Sequence, residues 1–543
     1  MTGLILSLLA SVTAQASFDW FDYRGDDHLP KPAAGQYSNP ILQGFYPDPS
    51  MVRVGDDYYL VNSTFIYFPG IPVFHSRDLV NWTQIGNAID RSSQLNFGKL
   101  NTWQGVYAPD ITYHDGTFYI INTCVPCGGN FLIKANNPAG PWSAPVWLPI
   151  DGIDTSLFFD EDGTAWILNN GPPEEKPRYE GHRAIWLQQF DTKAMNLVGP
   201  RKVLVDSGVH PDHNPIWIEG PHIFRKDGTY YLIAAEGGTA EGHSEVVFRS
   251  DKVTGPYVPF AANPILTQRD IKGPITSTGH ASFVKTQQGD WWSVFLGVRP
   301  YGDDNFNTGR ETFLMPVQWN DGWPRITEPK TQLPWVLKRP NLPAGPKAPV
   351  PTSGSFSIRD DFNGSKLPLY WMMMRNPVGK WWRLSGGALH LDAQGVALGD
   401  MGNPSLWARR QQHLNATVTT KVRFNPPSDG AEAGVVAMQN DEHWYFVAIG
   451  RDHGKRVVRL RRRDNSDAAG EVLATAALPS ASPIELRIAA RGAAYDFSWS
   501  ADGKRWHSLL RNADGTVLST KKAGGFVGAV FGLYAHDASM KTK

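Results

Sequence analysis

Two cysteines, Cys124 and Cys127, are all that 543 residues contain, which excludes a scaffold built on disulfides. Their Cys-x-x-Cys spacing in NTCVPCGG suits a small closed loop, a redox pair or half a zinc site. With a strand signal ahead of it and no second pair to complete a zinc site, a structural pair or free thiols is the expectation. Net charge is also missing: 52 Lys and Arg balance 52 Asp and Glu, so nothing steers the chain to nucleic acid or to an anionic membrane. No run reaches the roughly 20 apolar residues of a membrane span. The apolar stretch Leu4 to Val12, followed by Ala14-Gln15-Ala16, has the form of a signal peptide covering residues 1–16, although no Lys or Arg precedes it. A secreted or periplasmic protein is therefore expected. The G-x-S-x-G elbow, the H-E-x-x-H zinc motif and the phosphate loop are absent too.

Aromatic residues, in contrast, are abundant. They make up 12% of the chain and include 20 Trp, more large amphipathic rings than a core readily buries. Some should line a binding surface for a neutral partner, and flat rings stack on sugars. For any single Trp, packing between sheets is at least as good an explanation.

Five segments repeat one pattern, an apolar strand, a Gly-containing turn and an aromatic strand: SMVRVGDDYYLV, DITYHDGTFYII, SLFFDEDGTAWIL, HIFRKDGTYYLI and SFVKTQQGDWWSVF. Each reads as a β-hairpin. Their turn glycines, Gly55, Gly116, Gly163, Gly228 and Gly289, lie 61, 47, 65 and 61 residues apart. That interval accommodates a four-stranded sheet per repeat, the unit of a β-propeller, and five repeats predict five blades.

An ionisable residue stands just before each hairpin: Asp48, Asp110, Asp154, Glu219 and His280. Three of them share a register, ionisable residue, any residue, Ser, apolar residue: Asp48-Pro-Ser-Met, Asp154-Thr-Ser-Leu and His280-Ala-Ser-Phe. One Asp ahead of a strand commonly caps its own turn. Five such groups at equivalent places are better explained if the first strand of each hairpin is innermost, so that they meet at one end of a central channel. Asp48, Asp154 and Glu219 then form a site. Asp110 is the weaker member, since its register is shifted. Three carboxylates in a neutral, aromatic-rich setting suit hydrolysis of a glycosidic bond, which needs an acid and a base and no cofactor. His210, Asp212 and His213 in GVHPDHNPIWIEG could suggest a metal cluster, but a Pro-rich loop with satisfied histidines is the simpler reading.

NPILQGFYPDPSMVRVGDDYYLV, GVYAPDITYHDGTFYI, GIDTSLFFDEDGTAWILNNG, IEGPHIFRKDGTYYLI, STGHASFV and GRETFLMPVQW, in this order, resemble glycoside hydrolase family 43. This family comprises five-bladed propellers with β-xylosidase or α-L-arabinofuranosidase activity that act with inversion. The resemblance implies that Asp48 is the general base, Glu219 the general acid, and Asp154 the acid that raises and orients Glu219. It also implies Arg310 as a donor to sugar hydroxyls and a partner of the carboxylates. His280 becomes a pocket-floor group beside a water or a structural calcium, with no cofactor required for the chemistry. Tyr107 stands where many relatives have Trp. Phe65, Tyr67 and Phe68 are candidates for an apolar wall or for blade core in equal measure, and Trp103 is a looser candidate. Xylo-oligosaccharides or arabinoxylan fragments are the implied partners, with terminal β-1,4-linked xylose as first choice and arabinofuranose side chains as its rival.

The expected propeller spans residues 17–335. A Pro-rich linker follows at 336–354, and from 355 to 543 alternating segments such as AGVVAMQNDEHWYFVAIGRD predict an antiparallel β-sandwich. This part resembles the concanavalin-like, jelly-roll domain of the β-xylosidase branch, and a lobe over the channel would favour removal of single terminal sugars. The run Arg459 to Arg463 reads as a solvated strand face. Trp381 and Trp382 read as packing residues in preference to sugar contacts.

Overall fold

The computed structural model describes residues 14–465, 470–479 and 483–540. The bulk of the expected leader, residues 1–13, lies outside them. Strands dominate the described residues, with helical structure confined to Thr520–Ala523 and two 3-10 turns. All five predicted hairpins form, and each of the five turn glycines has a positive φ between 62° and 92°, the left-handed region that a glycine enters without a steric penalty.

Each hairpin opens its own antiparallel sheet of four or five strands. Their first strands are Ser50–Val54, Asp110–His114, Ile153–Phe159, Glu219–Lys226 and Thr276–Lys285. Hydrogen bonds stitch these strands sheet to sheet. Ser50 Oγ donates to Asp110 Oδ1 at 2.7 Å, and Leu157 N to Asp110 Oδ2 at 2.9 Å. Ser156 Oγ donates to the Pro221 carbonyl at 2.5 Å, and Ala281 N to Glu245 Oε2 at 2.9 Å. Met51 N donates to Ser282 Oγ at 3.1 Å, which returns the circuit to the first sheet. The serine of the repeated register thus ties a buried strand to its neighbour, so a polar residue in a core position is satisfied rather than stranded.

Two further sheets, of eight and six strands, share one core. Phe18, Val418 and Leu486 come from the first, Val435, Val447 and Leu533 from the second. The strand Gln15–Gly25 lies inside the eight-stranded sheet, between Ala388–Asp392 and Asn415–Arg423. This corrects two expected boundaries. The first described strand belongs to the C-terminal sheets and not to the repeat region, and Gln15 and Ala16, assigned to the leader, pair with Asp392 and Leu391. Alternation explains the placement: Phe18, Phe21 and Tyr23 are buried, and burying a Phe side chain stabilises by about 1.5–3 kcal/mol.

The expected linker is anchored. Val336–Lys338 pairs with Gln36–Ser38, and Arg339 Nη2 and Gly345 N both donate to Asp78 Oδ2 at 2.7 Å. Arg459 to Arg463 is not a simple solvated face, because Arg459 and Arg461 both pair with the buried Glu432. Cys124 and Cys127 form a disulfide.

Candidate active site

Eleven residues line a funnel with about 400 Å³ of empty space including its mouth. Asp48, Asp154, Glu219, His280, Arg310 and Tyr107 are among them, together with Phe65, Thr239 and Phe526. Backbone geometry brings the ionisable groups together. Asp48, Asp154 and His280 have φ of 52°, 55° and 56°, a region unusual for residues with side chains and concentrated at functional sites. Strand pairing slips between Ile153 and Ser156, between Glu219 and His222, and between Gly279 and Ser282. Bulges of this kind re-aim side chains at the ends of strands. The register of ionisable residue, any residue and Ser is therefore one local structure used three times: a left-handed residue facing the funnel and a serine facing the adjacent sheet.

Gly220 is needed for a different reason. Its φ is 55°, and a Cβ there would stand 2.7 Å from His280 Nε2. The Glu219-Gly pair lets the fourth strand pass under the imidazole while Glu219 enters the funnel.

The three carboxyl groups are held differently. Asp48 accepts from Arg310 Nη1 at 2.7 Å and from Ser63 Oγ at 2.5 Å, with His280 Nδ1 3.9 Å away. Burial alone would raise its carboxyl, but Arg310, His280 and Ser63 together hold it below the ordinary carboxylate value. Burial drives Glu219 well above its ordinary value, and the charges of Asp154 and Asp48 push it the same way. Asp154 is also raised, first by burial and then by Asp48, against the Gly220 amide that donates to its Oδ2 at 3.2 Å. One carboxylate kept ionised and one carboxylic acid kept protonated face the same cavity, the division of roles that acid–base catalysis requires.

Around them, Arg310 also donates to Thr239 Oγ1 at 3.3 Å, while its Nε has no partner among the described residues. Burial lowers His280 to about 4, which leaves it neutral near pH 7. Among the described residues no three His, Cys, Asp or Glu side chains gather as metal ligands. Phe65 meets Tyr107 edge-on, with ring centroids 5.8 Å apart.

Two expected site residues lie elsewhere. Asp110 is buried, taken up by Ser50, Leu157 and His222, and it ties its own sheet to three others. Phe68 pairs with Met373 of the C-terminal half and packs into the core; Phe65, three residues earlier, is the ring that lines the cavity. Trp103 stands at the rim, 36% exposed, with its ring edge-on to Phe526 at 6.3 Å. His210 and His213 lie on an exposed 3-10 turn.

Phe526 was not legible as a site residue. It comes from the C-terminal half, stacks on Phe65 at 6.3 Å and lies under the Arg310 guanidinium, 5.6 Å from its carbon. The signal for it is Gly524-Gly525-Phe-Val-Gly528. A Cβ at Gly525 would meet Trp103, and one at Gly528 would meet Thr308 and Gly309, so glycines allow this loop to touch the rim.

Comparison with known proteins places this geometry among relatives. The model of glycosyl hydrolases family 43 matches residues 37–324, and that of the beta xylosidase C-terminal concanavalin A-like domain matches residues 359–543. A non-reducing end alpha-L-arabinofuranosidase of Bacteroides ovatus is 37% identical over 92% of this chain and 91% of its own length. A xylosidase/arabinosidase of Butyrivibrio fibrisolvens is 36% identical over 92% and 95%. Among solved structures, a GH43_12 retrieved from a capybara gut metagenome superposes with a TM-score of 0.89 at 38% identity, covering 97% of this chain and all of that one.

Proposed function

The chain belongs to glycosyl hydrolases family 43, and from that membership we propose that it is an exo-acting, inverting glycosidase that releases terminal pentoses, with β-1,4-linked xylose as its first substrate. The observation that carries the reading is the opposite treatment of Asp48 and Glu219 in one funnel. In this account Asp48 takes a proton from water, which attacks the anomeric carbon. Glu219 gives its proton to the departing oxygen, and Asp154 beside it disfavours the ionised form of Glu219. Arg310 keeps Asp48 ionised and turns its free Nε–H to a sugar hydroxyl. Tyr107, Phe65 and Phe526 form the wall against the sugar ring. A cation beside His280 would depend on that imidazole and water, and the mechanism needs none.

We read the five sheets as blades of a five-bladed β-propeller, supported by the sheet-to-sheet stitching of their first strands and its return from Ser282 to Met51. Phe526 supports the exo reading, because a ring delivered by the second half shortens the groove to a pocket. Xylohexaose should then lose single xylose units from the start, and internal fragments appearing early would overturn this part. Export is part of the same reading, supported by the apolar Leu4–Val12 stretch and by the Cys124–Cys127 disulfide. In this reading cleavage falls ahead of Gln15, because Gln15 pairs with Asp392 within the sheet.

A second substrate has specific support: of the two relatives above, one is named an alpha-L-arabinofuranosidase and the other a xylosidase/arabinosidase. One pocket serving both terminal pentoses is the corresponding reading. Glu219→Gln tests the acid role. It should cost roughly 10²- to 10⁴-fold in kcat on xylobiose and much less on an aryl xyloside whose leaving group needs no proton. Equal losses on both substrates would overturn the assignment.

A further inference from the structure

Away from the funnel, a cleft with about 880 Å³ of empty space including its mouth lies where the first repeat sheet meets the C-terminal half, between Pro69 and Asn87 on one side and Trp382 and Trp407 on the other. Its composition departs from that of the whole chain. Net charge overall is zero, yet Lys366, Lys380 and Arg383 all line this cleft and no Asp or Glu does. Both lysines are exposed, and among the described residues neither has an ion pair; Arg383 meets only the neutral Gln15, donating to its Oε1 at 2.6 Å. The wall between the cations is aromatic. Trp382, half-buried, stands edge-on to Trp407 with centroids 5.3 Å apart. Trp407 is 6% exposed and its indole N–H has no hydrogen-bond partner among the described residues. A buried, unpartnered donor is costly unless a ligand or water meets it. Leu369, 43% exposed, extends the apolar surface outward.

Unpaired cations around a tryptophan wall match a ligand with both an anionic group and flat C–H faces. We propose that this cleft is a second, non-catalytic glycan site that binds xylo-oligosaccharides carrying a uronic acid. Trp382 stacks on a xylose ring, and Lys366 and Lys380 receive the carboxylate. The choice of a sugar backbone rests on the pentosidase reading above; the choice of an acidic substituent rests on the cleft alone. Such a site would hold an acidic xylan on the enzyme while the funnel trims its exposed ends.

The test is calorimetric titration of the full chain carrying Glu219→Gln, so that ligand is not consumed, with a glucuronosyl xylotriose, neutral xylotriose and free glucuronate as separate probes. Expected are two binding events per chain for the acidic oligosaccharide. The event absent for xylotriose should weaken about fivefold to tenfold in Lys366→Ala with Lys380→Ala and decline further in 0.5 M salt, since exposed charge pairs are modest and screened. Trp382→Ala should remove it, and the lysine variant keeps the proposal testable if the Trp change disturbs folding. A single event indifferent to the lysines would overturn the proposal, as would a second event of equal strength for xylotriose. Free glucuronate binding as tightly as the oligosaccharide would overturn its sugar-recognising part. Failure of the pentosidase reading is told apart by absence of hydrolysis in the parent chain, which this titration does not use.

Discussion

At the scale of single residues, Asp48 and Glu219 are held in opposite protonation states within one funnel. Asp48 owes its ionised state to Arg310, whose guanidinium outweighs burial together with His280 and Ser63. Removing that cation in Arg310→Met lets the Asp48 pKa rise. A base that must be ionised then loses function from higher pH downward, so the acidic limb of the kcat/KM profile should move toward neutrality by about one unit or more. Activity at pH 5 should therefore drop more than activity at pH 7, and an unmoved acidic limb would contradict the role given to Arg310. Asp48 and Asp154 were legible in the sequence because an ionisable residue recurred two places ahead of a serine, and Glu219 because it stands just before a repeated hairpin. The same logic overreached at Asp110, whose carboxylate accepts the stitching bonds at a junction of four sheets. A carboxylate that binds backbone and hydroxyl donors carries the same sequence signature as one that faces substrate.

At the scale of elements, bulges and left-handed residues do the aiming. The hairpins were readable from their turns and alternation, whereas the slips at Ile153/Ser156 and Glu219/His222 leave no such mark, since a bulge adds one residue without changing composition. Gly220 is where this geometry is most exposed to test. An added methyl meets His280 Nε2 at 2.7 Å on a backbone with φ of 55°, so Gly220→Ala should destabilise the protein by about 1–3 kcal/mol in urea unfolding. It should also lower kcat by displacing both Glu219 and His280. A variant as stable and as active as the parent would show that the strand has room the structure denies it. Phe68 illustrates the converse limit: the sequence left wall and core open for Phe65, Tyr67 and Phe68 alike, and which of the three rings faces the funnel is decided by a two-residue pairing of Tyr67 and Phe68 with Met374 and Met373, more than 300 residues away.

At the scale of the whole molecule, the two halves are interdependent. The N-terminal strand Gln15–Gly25 completes the C-terminal sheet. Arg299 and Glu311 of the last repeat form a buried network with Asp27 and the Gln412 carbonyl. Phe526 carries the dependence into the funnel. Phe526 is partly buried, so truncating it in Phe526→Ala removes only a share of the about 1.5–3 kcal/mol that full burial of such a ring is worth, and kcat/KM for xylobiose should fall roughly tenfold, mainly through KM. A loss confined to kcat would contradict its place as a wall. Sequence periodicity gave the halves separately because each has its own pattern; contacts between them arise from long-range closure, which no local pattern encodes. The most direct test of the central claim, a single displacement with Asp48 as base and Glu219 as acid, is proton NMR of xylobiose hydrolysis, following which anomer of xylose forms first. The account predicts that newly formed xylose is richer in the α anomer than the equilibrium mixture carried by the reducing-end unit; an excess of β-xylose over that mixture would mean retention through a covalent intermediate and would contradict it.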